Sequence, residues 1–237
     1  MHDDPVALSH DLLRALRRDE PTTEYEVALR DLDPGLLDAA LADDHATIAF
    51  WVNCYNAFTQ LALARDPDQY DRHRFFTRDI APVAGRVLSL DDIEHGILRR
   101  GHVKWGLGYL RSPFGGAFLR RMRPSRLDPR IHFALNCGAA SCPPIAAYTA
   151  AGLDDELDLA TASSLASAVD YDPETNTATV PRVMRWFRGD FGGKRGFLRM
   201  LREFGCIPGD VTPSLSYQEY NWGLESRRFE RSTEVSN

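Results

Sequence analysis

One short segment gathers most of the residues that could carry out nucleophilic chemistry. Residues 128–145 read DPRIHFALNCGAASCPPI and hold His132, Asn136, Cys137 and Cys142 within eleven positions. A thiolate is a strong nucleophile, and an imidazole within hydrogen-bond reach can take the proton of the thiol. We therefore predict Cys142 as a nucleophile and His132 as its base, a pair that serves hydrolysis or the transfer of acyl and amide groups.

The expected backbone around this pair supports both roles. Pro143 and Pro144 suit the first turn of a helix that residues 145–148 would continue, and the free amides of that turn would lower the pKa of the Cys142 thiol. The alternating residues 130–135 predict a strand that carries His132 on its polar face. Backbone N–H groups of Cys142 and of the residue before it would stabilise an oxyanion.

A second segment supplies a carboxylate and another imidazole. In SLDDIEHGIL, residues 89–98, Glu94 and His95 are adjacent, so on a helix they point about 100° apart and cannot pair with each other. We predict that Glu94 or Asn136 orients the imidazole of His132 as the third catalytic residue. The alternative for Glu94 is a capping or surface carboxylate.

A third segment places polar side chains inside the most apolar part of the chain. Asn53, Tyr55 and Asn56 interrupt FWVNCYNA, residues 50–57, where Cys54 is predicted to pack in the core. A buried amide without a hydrogen-bond partner costs about 2–7 kcal/mol, so these side chains either clamp a loop or line a pocket. Six residues make up the predicted pocket: Asn53, Tyr55, Asn56, His95, Arg130 and Cys137.

The same residue types allow a metal hypothesis. His132, Cys137 and Cys142, joined by His95, would form a zinc-like ligand set. The chain has no CxxC pair, no HExxH helix and no common zinc-knuckle spacing, and it also lacks the glycine-rich phosphate loops and the GxSxG elbow. We therefore expect no cofactor and keep a zinc-dependent hydrolase as an alternative.

Hydrophobic periodicity predicts the elements that position these residues. The domain is expected to be α+β and helix-rich, with a small, mostly antiparallel sheet. Its organisation would be an N-terminal helical segment (1–45) packed on a core domain (46–225), with a frayed tail (226–237). Helices are predicted over residues 5–19, 34–42, 46–66 and 153–169, and two more are predicted after Asp91 or Asp92 and around Trp186. Strands are predicted over residues 86–90, 130–135 and 177–180.

Composition excludes several classes of protein. The 237 residues are 43% hydrophobic and 26% charged, with a net charge of −6, which argues against general nucleic-acid binding. No apolar run is long enough to span a membrane, and the acidic N-terminus does not resemble a signal peptide, so we expect a cytoplasmic protein. Four unevenly spaced cysteines do not indicate a disulfide framework. The oligomeric state is left open.

Five motifs, taken in order, resemble the family known as domain of unknown function 547. They are FWVNCYNAF, LSLDDIEHGILR, DPRIHFALNCGAASCPPI, VPRVMRWFRGDF and YNWGLE, and they cover about residues 45–225. Relatives typically have an apolar residue in place of Cys54, and their last motif usually ends in Leu-Asn where this chain has Leu224-Glu225. The resemblance implies kinship and no established reaction.

Three functions follow from these residues. The leading prediction is a thiol-dependent hydrolase or acyl/amide transferase that acts on a small molecule or a peptide. A papain- or transglutaminase-like core would have to be permuted, because His132 precedes Cys142 in the chain. The alternatives are a binding or scaffold domain, in which asparagine, histidine and cysteine side chains form a structural network, and the zinc-dependent hydrolase.

Overall fold

The centre of the fold is helix α4 (Asp44–Arg65), which is apolar on all sides and buried for most of its length. A helix without a polar face is stable only when other elements surround it. The carboxylate of Asp43 caps its first turn by accepting a hydrogen bond from the N–H of Ala46. Helix α1 (Pro5–Arg18) packs along it with one apolar face, so the N-terminal helices complete the main core.

A computed structural model describes residues 4–71, 74–113 and 115–230. In it 48% of the described residues are helical and the sheets are small, so the predicted helix-rich α+β fold is confirmed. The papain- or transglutaminase-like topology stays a prediction. The remaining α-helices are α2 (Thr23–Arg30), α3 (Pro34–Ala40), α5 (Ala117–Arg121), α6 (Leu153–Ala168), α7 (Arg182–Trp186) and α8 (Gly193–Glu203).

Two small sheets flank the helices. Strands β1 (Asp79–Val83) and β2 (Arg86–Ser89) form an antiparallel hairpin. Strand β4 (Thr177–Val180) lies between β3 (Asp170–Asp172), which is antiparallel to it, and β5 (Ser214–Tyr217), which is parallel. The second sheet packs with α8 into a smaller apolar cluster. The described part of the chain contains no helix that is both long and apolar enough to span a membrane.

The segments that carry the predicted chemistry are less regular than expected. Residues Asp92–Leu98 form a π-helix, and Pro129–Phe133 form a 3₁₀-helix where a strand was predicted, so that strand prediction is wrong. Asp128 and Pro129, which precede the alternating residues 130–135, explain why a helical turn forms there. The carboxylate of Asp128 accepts a hydrogen bond from the N–H of Arg130, and Pro129 occupies the first helical position, so the chain begins a helical turn there.

The helix predicted after Cys142 is also wrong. Residues 143–150 run in an irregular, partly extended path, and Ile145 forms a parallel bridge with Phe229. Pro144 accounts for this path, because a proline disfavours the helical conformation of the residue before it. Cys142 therefore does not lie at the N-terminus of a helix, and its thiol receives no hydrogen bond from the amides of a first helical turn.

The C-terminal segment, residues 214–230, crosses over this irregular region. Besides the bridge to residue 145, Leu224 pairs with Ala139, and the N–H of Arg227 donates to the side-chain oxygen of Gln60 on α4. The predicted fraying from residue 226 therefore does not apply to residues 226–230, while residues 231–237 lie outside the described part. This crossing brings the C-terminal aromatic residues onto the thiol-bearing loop (residues 137–142).

Candidate active site

A cleft of about 490 Å³ opens where the π-helix, the thiol-bearing loop, α7 and the C-terminal segment meet. Its walls are mainly aromatic and aliphatic, with a few charged and thiol groups among them. Sites for small ligands commonly have this character, with few polar groups on apolar walls. The lining residues are Tyr55, Phe76, Asp91, Glu94, His95, Lys104, Trp105, Leu107, His132, Leu135, Cys137, Ser141, Cys142, Pro143, Val183, Trp186, Phe187, Tyr220 and Trp222.

The structure brings some of the predicted site residues together and places others elsewhere. The predicted residues that line the cleft are Tyr55, Glu94, His95, His132, Cys137 and Cys142. The predicted residues that lie outside its lining are Asn53, Asn56, Arg130 and Asn136. Each of these four has hydrogen-bond partners that explain its position.

Asn53 and Asn56 clamp backbone segments onto α4. The side chain of Asn53 accepts a hydrogen bond from the N–H of Tyr148 at 2.9 Å and donates to the carbonyl of the same residue at 2.8 Å. Asn56 accepts from the N–H of Asn136 at 2.8 Å and donates to the carbonyl of Ala134 at 2.9 Å. Both amides are fully buried and hydrogen-bonded to backbone groups. They therefore hold the backbone that carries the site residues and do not line the cleft themselves.

Asn136 holds the two ends of the thiol-bearing loop (residues 137–142). Its side-chain oxygen accepts a hydrogen bond from the N–H of Gly138 at 2.9 Å, and its amide donates to the carbonyl of Pro143 at 2.7 Å. Gly138 has a φ of +87°, and a Cβ there would lie 2.6 Å from a methyl carbon of Leu63. This tight turn requires glycine.

The sulfur of Cys142 lies among hydrogen-bond donors. It accepts from the backbone N–H of Cys137 at 3.1 Å, lies 3.3 Å from the hydroxyl of Tyr220, and is 2.9 Å from the sulfur of Cys137. Burial opposes ionisation, but the hydrogen bonds from Cys137 and Tyr220 outweigh it and hold the pKa of Cys142 below its ordinary value. The pKa of Cys137 is raised by its hydrogen bond to Cys142 and by burial.

The predicted oxyanion donors are engaged elsewhere. The N–H of Cys142 donates to the carbonyl of Ala139, and the N–H of Ser141 donates to the carbonyl of Asn221. The hydroxyl of Tyr220 is a side-chain donor 3.3 Å from the sulfur on the cleft wall, and burial raises its pKa, so it remains protonated at neutral pH. A hydroxyl can turn from the sulfur to an oxyanion.

His132 is held rigidly in one orientation. Its Nε2 lies 2.9 Å from the carboxylate of Asp190, and its ring stacks on Phe187 at 4.2 Å with an interplanar angle of 8°. Burial lowers the pKa of His132 despite the carboxylate, so the imidazole is neutral and donates Nε2–H to Asp190. Nδ1 is then the basic nitrogen.

Asp190 takes the orienting role that was predicted for Glu94 or Asn136. It forms a fully buried ion pair with Arg99, whose Nε lies 2.6 Å from the carboxylate. Burial would raise the pKa of Asp190, but the hydrogen bonds from His132 and Arg99 lower it to about 2. Asp190 is the one acidic residue of the motif VPRVMRWFRGDF, and that isolation is the sequence signal that could have identified it.

His95 belongs to the same buried network. Its Nδ1 accepts a hydrogen bond from Arg99 Nη1 at 2.8 Å, and burial together with the guanidinium lowers the pKa of His95 to about 3. Glu94 lies beside the same imidazole, with one oxygen 3.5 Å from His95 Nδ1 and the other 3.4 Å from the hydroxyl of Tyr55, so the prediction that the adjacent Glu94 and His95 side chains point too far apart to meet is wrong. His95 and His132 are thus linked through Arg99 and Asp190, and both imidazoles are neutral.

Arg130 lies away from the cleft and ties the 3₁₀-helix to α6. Its guanidinium forms ion pairs with Asp128, Asp154 and Asp158 at 2.6–2.8 Å. These charges raise the pKa of Arg130 further above its ordinary range, against the effect of burial. Arg130 therefore fixes the start of the segment that carries His132.

The zinc-like ligand set does not assemble. In residues 4–71, 74–113 and 115–230, no group of three or more histidine, cysteine or acidic side chains is arranged to hold a metal ion. The buried imidazoles of His132 and His95 are instead bonded to Asp190 and Arg99.

Fold and site together define a helix-rich α+β protein with a thiol pair and an oriented histidine on one aromatic cleft. The family model described as protein of unknown function, DUF547, matches residues 40–163, which is more than half of the chain. The protein therefore belongs to this family, as its motifs predicted. Searches of curated proteins and of solved structures each found no match.

Proposed function

We propose that the protein is a thiol-dependent hydrolase or acyl/amide transferase, with Cys142 as nucleophile, His132 as base and Asp190 as the residue that positions the base. The observation that carries this proposal is the hydrogen bond between Asp190 and His132 Nε2 at 2.9 Å. It leaves Nδ1 as the proton acceptor, and His132 and Cys142 both line the cleft. A nucleophile, a base and a buried carboxylate that orients the base are the parts of a catalytic triad.

The proposed reaction begins with proton transfer and acylation. The sulfur of Cys142 attacks a carbonyl carbon while its proton passes to His132 Nδ1, and the hydroxyl of Tyr220 donates a hydrogen bond to the developing oxyanion. His132 then gives the proton to the leaving alcohol or amine. Water or an amine, deprotonated by the same nitrogen, releases the acyl group and restores the thiol.

This reaction requires the side chain of Cys142 to rotate toward His132. Within the described residues, the hydrogen-bond partners of its sulfur are Cys137 and Tyr220, not an imidazole. Catalytic hydrogen bonds often tighten only when substrate is bound. A permuted papain- or transglutaminase-like arrangement, with the histidine before the cysteine, is part of the proposal.

The cleft walls support an apolar or aromatic acyl group as the part of the substrate that is bound. Trp186, Tyr220 and Trp222 form a cluster of rings on one side, with centroid distances of 4.6–5.5 Å. Trp105, which is 76% exposed, stands at the rim. Such surfaces favour the burial of apolar substrate groups, in a small molecule or in a peptide.

Acyl transfer from a medium-chain nitrophenyl ester to the reduced protein tests this proposal. We expect one acyl group per chain, located on Cys142 by peptide mass spectrometry, with none in Cys142→Ser. His132→Ala should slow acylation by about 10²–10⁴-fold, because it removes the base. The matched control Cys206→Ser should acylate like the natural protein. Equal acylation rates in His132→Ala and the natural protein would contradict the assignment of the base.

A non-catalytic binding domain is the second candidate, favoured by the side chain of Cys142. It is only 4% exposed, and its sulfur is already bonded to its neighbours. Ester that quenches the tryptophan fluorescence of the cleft without ever acylating Cys142 would support this candidate over the enzyme.

A further inference from the structure

The two thiols on the cleft lie closer together than the proposed acyl transfer requires. The sulfur atoms of Cys137 and Cys142 are 2.9 Å apart, and both cysteines are in the free form. We infer that these two residues form a hydroperoxide-reactive dithiol that closes to an intramolecular disulfide. This redox chemistry goes beyond the proposed function, which uses Cys142 alone.

The loop geometry supports closure without rearrangement of the fold. A disulfide has a sulfur–sulfur distance of about 2.05 Å, so the two atoms have to approach by less than 1 Å. The left-handed Gly138 turns the chain between them, and Asn136 ties both ends of the loop together. We therefore expect a small rotation of the two side chains to bring the sulfurs to bonding distance.

The surroundings assign a different role to each thiol. Cys142 receives the backbone hydrogen bond of Cys137 and faces the hydroxyl of Tyr220 at 3.3 Å, so its thiolate is the stabilised one. Cys137 lies 3.5 Å from the same hydroxyl and keeps its proton more firmly. Cys142 therefore attacks the peroxide, and Cys137 resolves the product.

The reaction balances with a hydroperoxide as the oxidant. The thiolate of Cys142 attacks the outer peroxide oxygen: a sulfur–oxygen bond forms, the oxygen–oxygen bond breaks, and an alcohol, or water from hydrogen peroxide, leaves after taking up a proton. The sulfur of Cys137 then attacks the resulting sulfenic acid: the disulfide forms, the sulfur–oxygen bond breaks, and the thiol proton leaves with water. Two thiols lose two electrons, and the peroxide gains them.

Disulfide formation removes the thiol that the proposed acyl transfer needs. This consequence for activity rests on the proposed function, whereas formation of the disulfide does not. A thiol reductant reverses the bond by exchange, so loss of acylation by peroxide should be recovered with dithiothreitol.

The experiment uses the full chain, reduced and then freed of reductant, with hydrogen peroxide as the probe. After remaining thiols are blocked, trypsin releases residues 131–182 as one peptide, which contains Cys137 and Cys142 and no other cysteine. We expect this peptide to lose two hydrogen atoms in mass, to resist alkylation, and to regain two alkylatable thiols with dithiothreitol. Cys206→Ser, the matched control, should behave in the same way.

Single-cysteine variants distinguish the thiol that attacks the peroxide from the thiol that then forms the disulfide. In Cys137→Ser, peroxide should leave a sulfenic acid on Cys142 that dimedone captures, whereas in Cys142→Ser the remaining thiol at position 137 should stay reduced. A peptide 131–182 that keeps two free thiols, or that carries a sulfenic or sulfinic acid without a disulfide in the natural protein, would overturn the inference. Disulfide formation without ester acylation would contradict the proposed function and support the redox inference. Ester acylation without disulfide formation would support the proposed function and contradict the redox inference.

Discussion

Replacing Tyr220 by phenylalanine should raise the pKa of Cys142 without disturbing the cleft. The hydroxyl lies 3.3 Å from the sulfur of Cys142, and its hydrogen bond favours the thiolate. Phenylalanine keeps the ring that contacts Trp186 and Trp222, at centroid distances of 4.9 and 4.6 Å. The substitution therefore removes one donor and little else.

The magnitude follows from the geometry of that one hydrogen bond. A hydrogen bond to a charged group contributes about 1.5–3 kcal/mol, and the hydroxyl of Tyr220 is shared with Cys137, so the lower value applies. About 1.4 kcal/mol corresponds to one pKa unit, which would raise the pKa of Cys142 from about 7 to about 8. At pH 7 the thiolate fraction would fall from about one half to about one tenth.

Iodoacetamide alkylation of the reduced protein, followed from pH 5 to pH 10 by mass spectrometry of Cys142, measures this shift. Because only the thiolate reacts, the rate at pH 7 should fall about fivefold in Tyr220→Phe, and the two rates should converge above pH 9. Tyr171→Phe, which removes an exposed hydroxyl bonded to Asn176, is the matched control and should leave the profile unchanged. A Tyr220→Phe profile that superimposes on the natural one would refute the role of this hydroxyl.

Two further predictions concern stability and are measured by urea unfolding at pH 7. Asp190→Asn leaves the buried guanidinium of Arg99 without its counter-ion and should lower the free energy of unfolding by about 3–5 kcal/mol. The control Asp31→Asn removes a carboxylate from an exposed ion pair and should cause no measurable change. Equal losses of stability in the two variants would contradict this prediction. Asn53→Ala deprives the buried N–H and C=O of Tyr148 of their partners and should cost about 2–5 kcal/mol; a loss below 1 kcal/mol would show that other groups replace the amide.

The sequence predicted the helices better than the residues between them. Helix α4 and helix α6 were recognisable because long apolar or amphipathic runs determine a helix locally. The clamping role of Asn53 was also predictable, since a buried amide must find a partner. The alternating residues 130–135 misled the strand prediction, because a proline and an aspartate cap just before them imposed a helical turn.

The orienting carboxylate could not be found by local reasoning. Asp190 and Arg99 are 91 positions apart in the chain, and although Asp190 is the one acidic residue of its motif, nothing in that motif points to Arg99 or to His132. The nearer acids, such as Glu94, were more plausible partners for His132 on sequence alone. Only the tertiary contact shows that Asp190 reaches the imidazole, at 2.9 Å.

The crossing of the C-terminal segment over the thiol-bearing loop has a consequence for biosynthesis. Helix α4 and the loop at 137–142 leave the ribosome well before Tyr220, which supplies the hydroxyl next to the sulfur of Cys142. Contacts between distant parts of a chain form only after both parts are present. A nascent chain that ends before residue 214 therefore carries Cys142 without that donor. The environment that lowers the pKa of Cys142 is therefore complete only after residue 220 has left the ribosome.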